Sequence, residues 1–268
     1  MIRSTICLIL LALFVGDTSR GKSQGPEKEW RLVFSDEFNL PNGSQPDSTK
    51  WNRHERYHGI WSRWNSSSPS VVYIKNGCLV CRAIPNRKEP QDTAEMLTGA
   101  INTRGKFNFM YGKVEVRMKT NTRRGNFPAA WMRPENGADK RYGEIDIVEM
   151  FGNQGKVHHT VHTHRTYTLG KKDLITTFNE SVKVSGWHVY GVEWSKDEII
   201  WTLDGRKVGE YKRINSKRMV QEGQWTFDRP FFLILNQSVG DGSAPYFVPE
   251  TNKIYETRFD WIRVYRRV

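Results

Sequence analysis

Short segments with the residue pattern of β-strands recur about every ten residues along this chain, while signals for helices are weak. In residues 112–119, Val114, Val116 and Met118 alternate with charged side chains. Such alternation is typical of an antiparallel strand that buries one face and exposes the other to water. The segments with strand character are 70–75, 77–83, 111–120, 144–151, 157–164, 187–194, 198–203, 230–237 and 258–265. Many strands at this spacing predict an all-β sandwich or barrel rather than βαβ units.

The organisation of the chain is that of a single domain. Asp204 and Gly205 separate two runs of strand-forming residues and predict a hairpin with a type I′ turn. The sequence contains no internal repeat and no long linker rich in Pro, Gly or Ser. Because 268 residues are enough for one large β-sandwich, we expect one domain from about Trp30 to Val268.

The first 21 residues differ from the rest of the chain. Arg3 precedes an apolar run over 6–15, and small residues follow, which is the pattern of a secretory signal peptide. The run is too short to span a bilayer, and no other stretch approaches the ~20 apolar residues of a membrane helix. No cysteine stands just after the run, where a lipoprotein needs one. We therefore expect a secreted, periplasmic or cell-surface protein without a lipid anchor or a transmembrane segment.

The composition excludes several classes of protein. With 41 Lys and Arg against 29 Asp and Glu, the net charge of +12 suggests an acidic partner, but the cations are scattered rather than clustered, so we expect no binding of nucleic acid. We also expect a monomer. Three cysteines in so long a chain exclude a disulfide scaffold. Cys78 and Cys81 form a C-x-x-C pattern that could bind zinc or act in redox chemistry. Further ligands or a helix start are missing there, which favours two buried strand thiols on opposite faces.

The residues best suited to chemistry are three carboxylates in segment 143–150. Glu144 and Asp146 are two residues apart and share one face of a strand, whereas regular alternation would send Glu149 into the core. A buried carboxylate without a partner would be costly. One bulge residue, at Ile147 or Val148, resets the alternation. We therefore predict a bulged strand with all three acids on one face and the isoleucines packed inside.

The spacing of the two glutamates indicates a reaction type. Four strand steps of ~3.3 Å separate their backbones by ~13 Å, and two side chains that lean together leave ~5 Å between the carboxyls. Retaining glycosidases have a separation of ~5–5.5 Å, with one acid as nucleophile and the other as acid/base. Asp146 lies between them and is predicted to share a proton with Glu144. The alternative is a solvated acidic strand edge without catalytic function.

The segment Glu-Ile-Asp-Ile-Val-Glu resembles the bulged E-x-D-x-x-E signature of glycoside hydrolase family 16, in the form found in laminarinases and mixed-linkage β-glucanases. The similarity extends to segments 34–38, 106–119, 127–132, 187–194, 232–236 and 260–265. It implies that residues 22–268 form one catalytic domain, a concanavalin-like β-jelly-roll sandwich of two antiparallel sheets with a cleft across the concave sheet. It also implies that Glu144 is the nucleophile, Glu149 the acid/base and Asp146 the supporting carboxylate.

Several aromatic and polar residues are candidates for binding sugar, because sugar rings stack on aromatic faces and their hydroxyls need polar partners. Trp131 and Tyr142 precede the acids and are predicted to flank the cleaved bond, although a core position for each tryptophan is equally open. Asn236 interrupts an apolar strand and would place one amide on the acid-bearing surface. The other candidates are Trp61 and Trp64, which would extend the cleft, and Arg104.

Three histidines, His158, His162 and His164, share a face in segment 157–164. A cupin-like metal site is the alternative from another class, since H-x-H on a strand can bind zinc or iron. A cupin-like site would need a glutamate a few residues after His164, and none is present. We therefore expect that no cofactor is required and that His162 lines the cleft near Glu149. Some members of the family bind calcium, for which Asp260 is the candidate ligand here.

The sequence thus predicts an exported endo-β-glucanase that cleaves β-1,3-linked or mixed β-1,3/1,4-linked glucan with retention. Two alternatives stay open: a non-catalytic β-glucan-binding protein of the same fold, and a hydrolase of sulfated galactans, which the positive charge favours mildly.

Overall fold

The computed structural model describes residues 29–87, 92–135 and 141–268, so the predicted signal peptide lies outside the described part. The strands are β1 (Trp30–Asp36), β2 (Asn52–Arg53), β3 (Val72–Ile74), β4 (Leu79–Pro85), β5 (Met96–Asn102), β6 (Gly112–Thr120), β7 (Asn126–Pro134), β8 (Gly143–Glu149), β9 (Lys156–Thr163), β10 (Thr177–Ser181), β11 (His188–Trp194), β12 (Glu198–Leu203), β13 (Arg206–Lys212), β14 (Phe231–Val239) and β15 (Tyr255–Arg267). Helical structure in this part is confined to α1 (Lys217–Gln221), a π-helical turn (His164–Thr168) and a 3-10 turn (Pro245–Phe247). None of these helices is long and apolar enough to cross a membrane.

The strands pair in the order β10-β9-β8-β7-β14-β5-β4-β15-β6-β11-β12-β13, with β1 on β15, β2 on β5 and β3 on β4. This path folds back on itself, and its two ends meet where Phe178 of β10 packs on Gly209 of β13. A Cβ at Gly209 would lie only 2.5 Å from the Phe178 ring, so a larger residue would push these ends apart. The result is the predicted all-β jelly-roll sandwich.

The main core lies between the two layers and receives side chains from both. In β6, Val114, Val116 and Met118 point into it while the intervening charged residues face outward, as the alternation predicted. From the opposite layer, Ile145 and Ile147 of β8 pack into the same core. The outer face of this second layer is therefore left to carry polar side chains.

The nine segments predicted as strands all form strands, and the predicted type I′ turn is confirmed. Asp204 and Gly205 have positive φ values of 50° and 79°, and Leu203 pairs with Arg206 across the turn. Cys78 and Cys81 are buried free thiols: Cys81 packs in the main core, whereas the Sγ of Cys78 lies 3.8 Å from Asp260 outside it. Burial raises the pKa of Cys81 to about 12, so this thiol is unreactive at neutral pH.

Candidate active site

The predicted bulge in β8 is confirmed, and its extra residue is Ile147. On one side Trp131 pairs with Asp146 and Ala130 with Val148, so Ile147 has no partner in β7. On the other side the register with β9 shifts between Asp146 and Glu149. The alternation is thereby reset, and Glu144, Asp146 and Glu149 all line one cleft of about 770 Å³.

Asp146 and Glu149 form a pair that keeps a proton. Burial and then the negative charge of Glu144 raise the pKa of Asp146 well above its usual range. Burial and then the charge of Asp146 raise the pKa of Glu149 in the same way. The hydrogen bond between the two side chains lowers the pKa of Asp146 and raises that of Glu149, so it favours the proton on Glu149. Among the described residues, no N–H group or hydroxyl donates to either carboxyl oxygen of Asp146, which leaves the carboxyl of Glu149 as its hydrogen-bond partner.

This pairing corrects the sequence-based expectation, in which Asp146 shared a proton with Glu144. The reason is the bulge, because it brings Glu149 back to the face of Asp146. Glu144 acts on Asp146 through its charge instead.

Glu144 has a different environment. The hydroxyl of Tyr142 donates to its Oε2 at 2.7 Å, and Nε of Arg133 lies 3.9 Å from the same oxygen. Nε2 of His162 lies 3.6 Å from Oε1 of Glu144 and 3.4 Å from Oδ2 of Asp146. Oε2 of Glu144 thus has a hydrogen-bond donor and a nearby cation, whereas Oε1 faces the imidazole of His162. Both Tyr142 and His162 lie at the cleft, as predicted.

The three histidines of the alternative metal site do not come together as a set of metal ligands. His158 and His162 line the cleft, but the strand ends at Thr163, and His164 begins the π-helical turn. In the described residues, the one set of three potential ligands with atoms within 4.8 Å of one another is Glu144, Asp146 and His162. Asp260, the candidate calcium ligand, forms an ion pair with Arg117.

Trp131 and Asn236 both lie on the cleft face, but their arrangement differs from an open platform. Trp131 is only 5% exposed, because Trp61 covers it edge to face with ring centroids 4.7 Å apart. Nε1 of Trp131 donates to Oδ1 of Asn236 at 2.8 Å. Of the two indoles at the cleft, Trp61 is therefore the more exposed, and Trp131 packs beneath it.

Two further candidates lie away from the acids. Trp64 packs against a small satellite cluster with Met96 and Tyr255 and is not among the side chains that line the cleft. Its placement there corrects the prediction that it extends the cleft. Arg104 lines a separate depression of about 570 Å³ beside β2 and β5, with its guanidinium carbon 5.9 Å from the ring centre of Phe232.

The structure also brings in residues that sequence reasoning missed. Arg133 follows Trp131 by two positions in β7, so strand alternation could have placed it on the same face. Tyr167 stacks on Tyr142 with centroids 3.8 Å apart and an interplanar angle of 11°. No local pattern marks Tyr167, because it reaches the cleft only through the π-helical turn. Other aromatic residues of the cleft wall are Phe127, Phe151 and Phe247.

Several known proteins are similar to this chain over most of its length. The β-glucanase of Rhodothermus marinus is 33% identical over 281 residues, covering 97% of this chain and 93% of that protein. The crystal structure of the laminarinase from Rhodothermus marinus superposes with a TM-score of 0.78 at 30% identity, covering 90% of this chain and 99% of that one. The keratan-sulfate endo-1,4-beta-galactosidase of Sphingobacterium multivorum is 31% identical over 89% of this chain, which spans 56% of that longer protein.

The profile described as glycosyl hydrolases family 16 matches residues 69–261, a range that holds β8 and both layers of the sandwich. A match over most of the chain, together with relatives of this kind and the bulged acidic strand, leads to one conclusion. The chain belongs to glycosyl hydrolases family 16.

Proposed function

We propose that this protein is a retaining endo-β-glucanase that hydrolyses β-1,3-linked or mixed β-1,3/1,4-linked glucans by double displacement. The observation that carries the proposal is the difference between the two glutamates on one cleft face: Glu149 is buried beside Asp146 with a raised pKa, whereas Glu144 accepts from the Tyr142 hydroxyl at 2.7 Å. A retaining glycosidase needs one acid and one nucleophile with this division. The similarity to a β-glucanase along almost the whole of both chains supports the substrate class.

In the first step, Glu144 attacks the anomeric carbon while Glu149 donates its proton to the leaving oxygen. The glycosidic bond breaks, and an ester forms between the sugar and Glu144. Tyr142 holds Oε2 of Glu144 at 2.7 Å, which leaves Oε1 as the attacking atom.

In the second step, the loss of charge on Glu144 changes its neighbours. Its negative charge raises the pKa of both Asp146 and Glu149 in the free enzyme, and esterification removes that charge. The pKa of Glu149 therefore falls as the intermediate forms. Glu149, now ionised, takes a proton from the incoming water, whose oxygen attacks the anomeric carbon with a second inversion. The bond between the sugar and Glu144 breaks, and Glu144 leaves as a carboxylate.

A panel of polysaccharides tests this function. We expect the purified protein to release reducing ends from laminarin or barley β-glucan, and Glu144→Gln to lose this activity by orders of magnitude while remaining folded. Proton NMR of the early product should show the β-anomer. Binding of glucan without hydrolysis would instead identify a recognition protein, and an initial α-anomer would contradict retention.

A hydrolase of sulfated galactans is the second candidate. The observations in its favour are the guanidinium of Arg133 at the cleft and the similarity to the keratan-sulfate endo-1,4-beta-galactosidase. Agarose, carrageenan and keratan sulfate therefore belong in the same panel. Release of reducing ends from one of these, with none from either glucan, would select this candidate.

A further inference from the structure

The insertion of Ile147 into β8 displaces backbone carbonyls from their usual strand partners. Ile147 and Val148 together face the single residue His159 of β9, and Ile147 has no partner in β7. A buried carbonyl without a donor is costly, so a bulge persists only when its displaced groups find other partners.

Side chains from the core supply these partners. Nδ1 of His159 lies 2.6 Å from the carbonyl oxygen of Ile147, and Nε1 of Trp201 donates to the carbonyl oxygen of Asp146 at 2.8 Å. Because a carbonyl oxygen only accepts, Nδ1 of His159 carries the hydrogen. Both side chains are fully buried, so water cannot replace either donor. Two successive carbonyls of the bulge are thus tied to the inside of the sandwich.

His159 is an uncharged hydrogen-bond donor, and its one polar contact among the described residues is with Ile147. Burial lowers its pKa to about 4, so the ring is uncharged at neutral pH. Its second nitrogen, Nε2, is buried and has no hydrogen-bond partner among the described residues. The bond to Ile147 is therefore the polar contact that this buried imidazole makes.

We propose that His159 and Trp201 are positioning residues for Glu149, because they hold the Ile147 bulge that keeps Glu149 on the cleft face beside Asp146. This inference rests on the proposed function, in which Glu149 is the acid/base. Without the bulge, strand alternation returns Glu149 to the core face and leaves Glu144 and Asp146 where they are. Loss of the donors therefore harms proton transfer more than nucleophilic attack.

Two substitutions at His159 test the proposal. His159→Leu removes the donor, and His159→Asn keeps an N–H near the position of Nδ1. On glucan, we expect kcat of His159→Leu to fall about 30-fold or more. On an aryl β-glycoside with a good leaving group, kcat should fall by less than about threefold, because that substrate needs little protonation. His159→Asn should stay within about threefold of the wild type on both substrates. Equal losses on both substrates, or His159→Asn behaving like His159→Leu, would overturn the proposal.

A second variant covers the case in which His159→Leu does not fold. Trp201→Phe removes the other donor and should show the same split between substrates. Trp225→Phe is the matched control, since its indole N–H bonds Oδ1 of Asp228 at 2.9 Å, away from the bulge. Absence of a split in Trp201→Phe, or an equal split in the control, would count against the positioning role.

One readout does not depend on activity. In a crystal structure of His159→Leu, or of Trp201→Phe if the first variant does not fold, we expect Glu149 to have lost its contact with Asp146. An unchanged contact would overturn the positioning role even if the wild type were inactive. Inactivity of the wild type on every β-glucan would contradict the proposed function alone.

Discussion

At the scale of single residues, Glu149 and Glu144 share a cleft face but differ in their neighbours. Glu149 is hydrogen-bonded to a second carboxyl group in a site that disfavours charge, whereas Glu144 accepts from a phenol and lies near a guanidinium. In the proposed mechanism, environment rather than residue type thus separates the acid from the nucleophile.

Glu149→Ala tests the acid role directly. Hydrolysis of glucan should fall by about 100-fold or more, because the leaving sugar oxygen needs a proton, while an aryl glycoside with a good leaving group should keep much of its rate of glycosyl-enzyme formation. Burst kinetics on the two substrates measure this difference. If both substrates lose the same factor, Glu149 is not the acid.

Trp131 and Trp61 are in contact but should respond differently to truncation. Trp131→Ala removes a buried indole and leaves Asn236 without its donor, so we expect a loss of about 3–5 kcal/mol of stability. Trp61→Ala removes the accessible ring and should lower kcat/KM on glucan about 5–30-fold through lost stacking. Thermal unfolding and glucan kinetics of both variants check this. A reversed pattern would mean that Trp131 is the sugar platform.

At the scale of elements, β8 couples the charges of the three acids through its bulge. The charge of Asp146 is, after burial, the largest contribution that raises the pKa of Glu149. In the proposed mechanism Glu149 must be protonated, so we expect kcat/KM to fall as the pH rises through this pKa. We therefore expect the strand to set the alkaline limit of activity.

Asp146→Asn should move that limit to lower pH, because the charge that raises the pKa of Glu149 is removed while burial stays. The measurement is the pH profile of kcat/KM on laminarin. Asp260→Asn is the control, because Asp260 is paired with Arg117 away from the cleft, and its profile should match the wild type. An alkaline limb that does not move in Asp146→Asn would show that the two carboxyls are not coupled.

Elements also show where sequence reasoning works. The bulge in β8 could be predicted because a buried, unpaired Glu149 is too costly, and β6 because its alternation is complete. In contrast, β5 was not predicted, since all seven of its residues are buried and no alternation marks it. The contact between Asp146 and Glu149 depends on side-chain geometry within the bulge, and the cover of Trp61 over Trp131 joins residues 70 positions apart. No local sequence pattern marks either of these two contacts.

At the scale of the whole molecule, one layer of the sandwich supplies both the acids and a surface that extends past them. The cleft with the acids crosses β9, β8, β7 and β14, and the separate depression at Arg104 lies at β5 and β2 of the same layer. A long glucan can thus contact the enzyme far from the cleaved bond. Binding energy from such remote contacts is used at the transition state.

Short oligosaccharides should therefore lose turnover as well as affinity. We expect kcat/KM to rise with chain length across a series of β-1,3-linked oligosaccharides and then to level off once the cleft is filled. Initial rates for each length give this dependence. A kcat that is the same for the shortest and longest members would confine productive binding to the sugars at the acids.

The central claim is that Glu144 forms a covalent bond to the sugar. A 2-deoxy-2-fluoro glycoside of a β-1,3-linked glucobiose with a good leaving group should inactivate the enzyme, because the fluorine slows hydrolysis of the ester more than its formation. Mass spectrometry of the digested protein should then find the peptide that contains Glu144 with the added mass of the fluorinated disaccharide. A label on Glu149, or turnover without any trapped ester, would contradict the account.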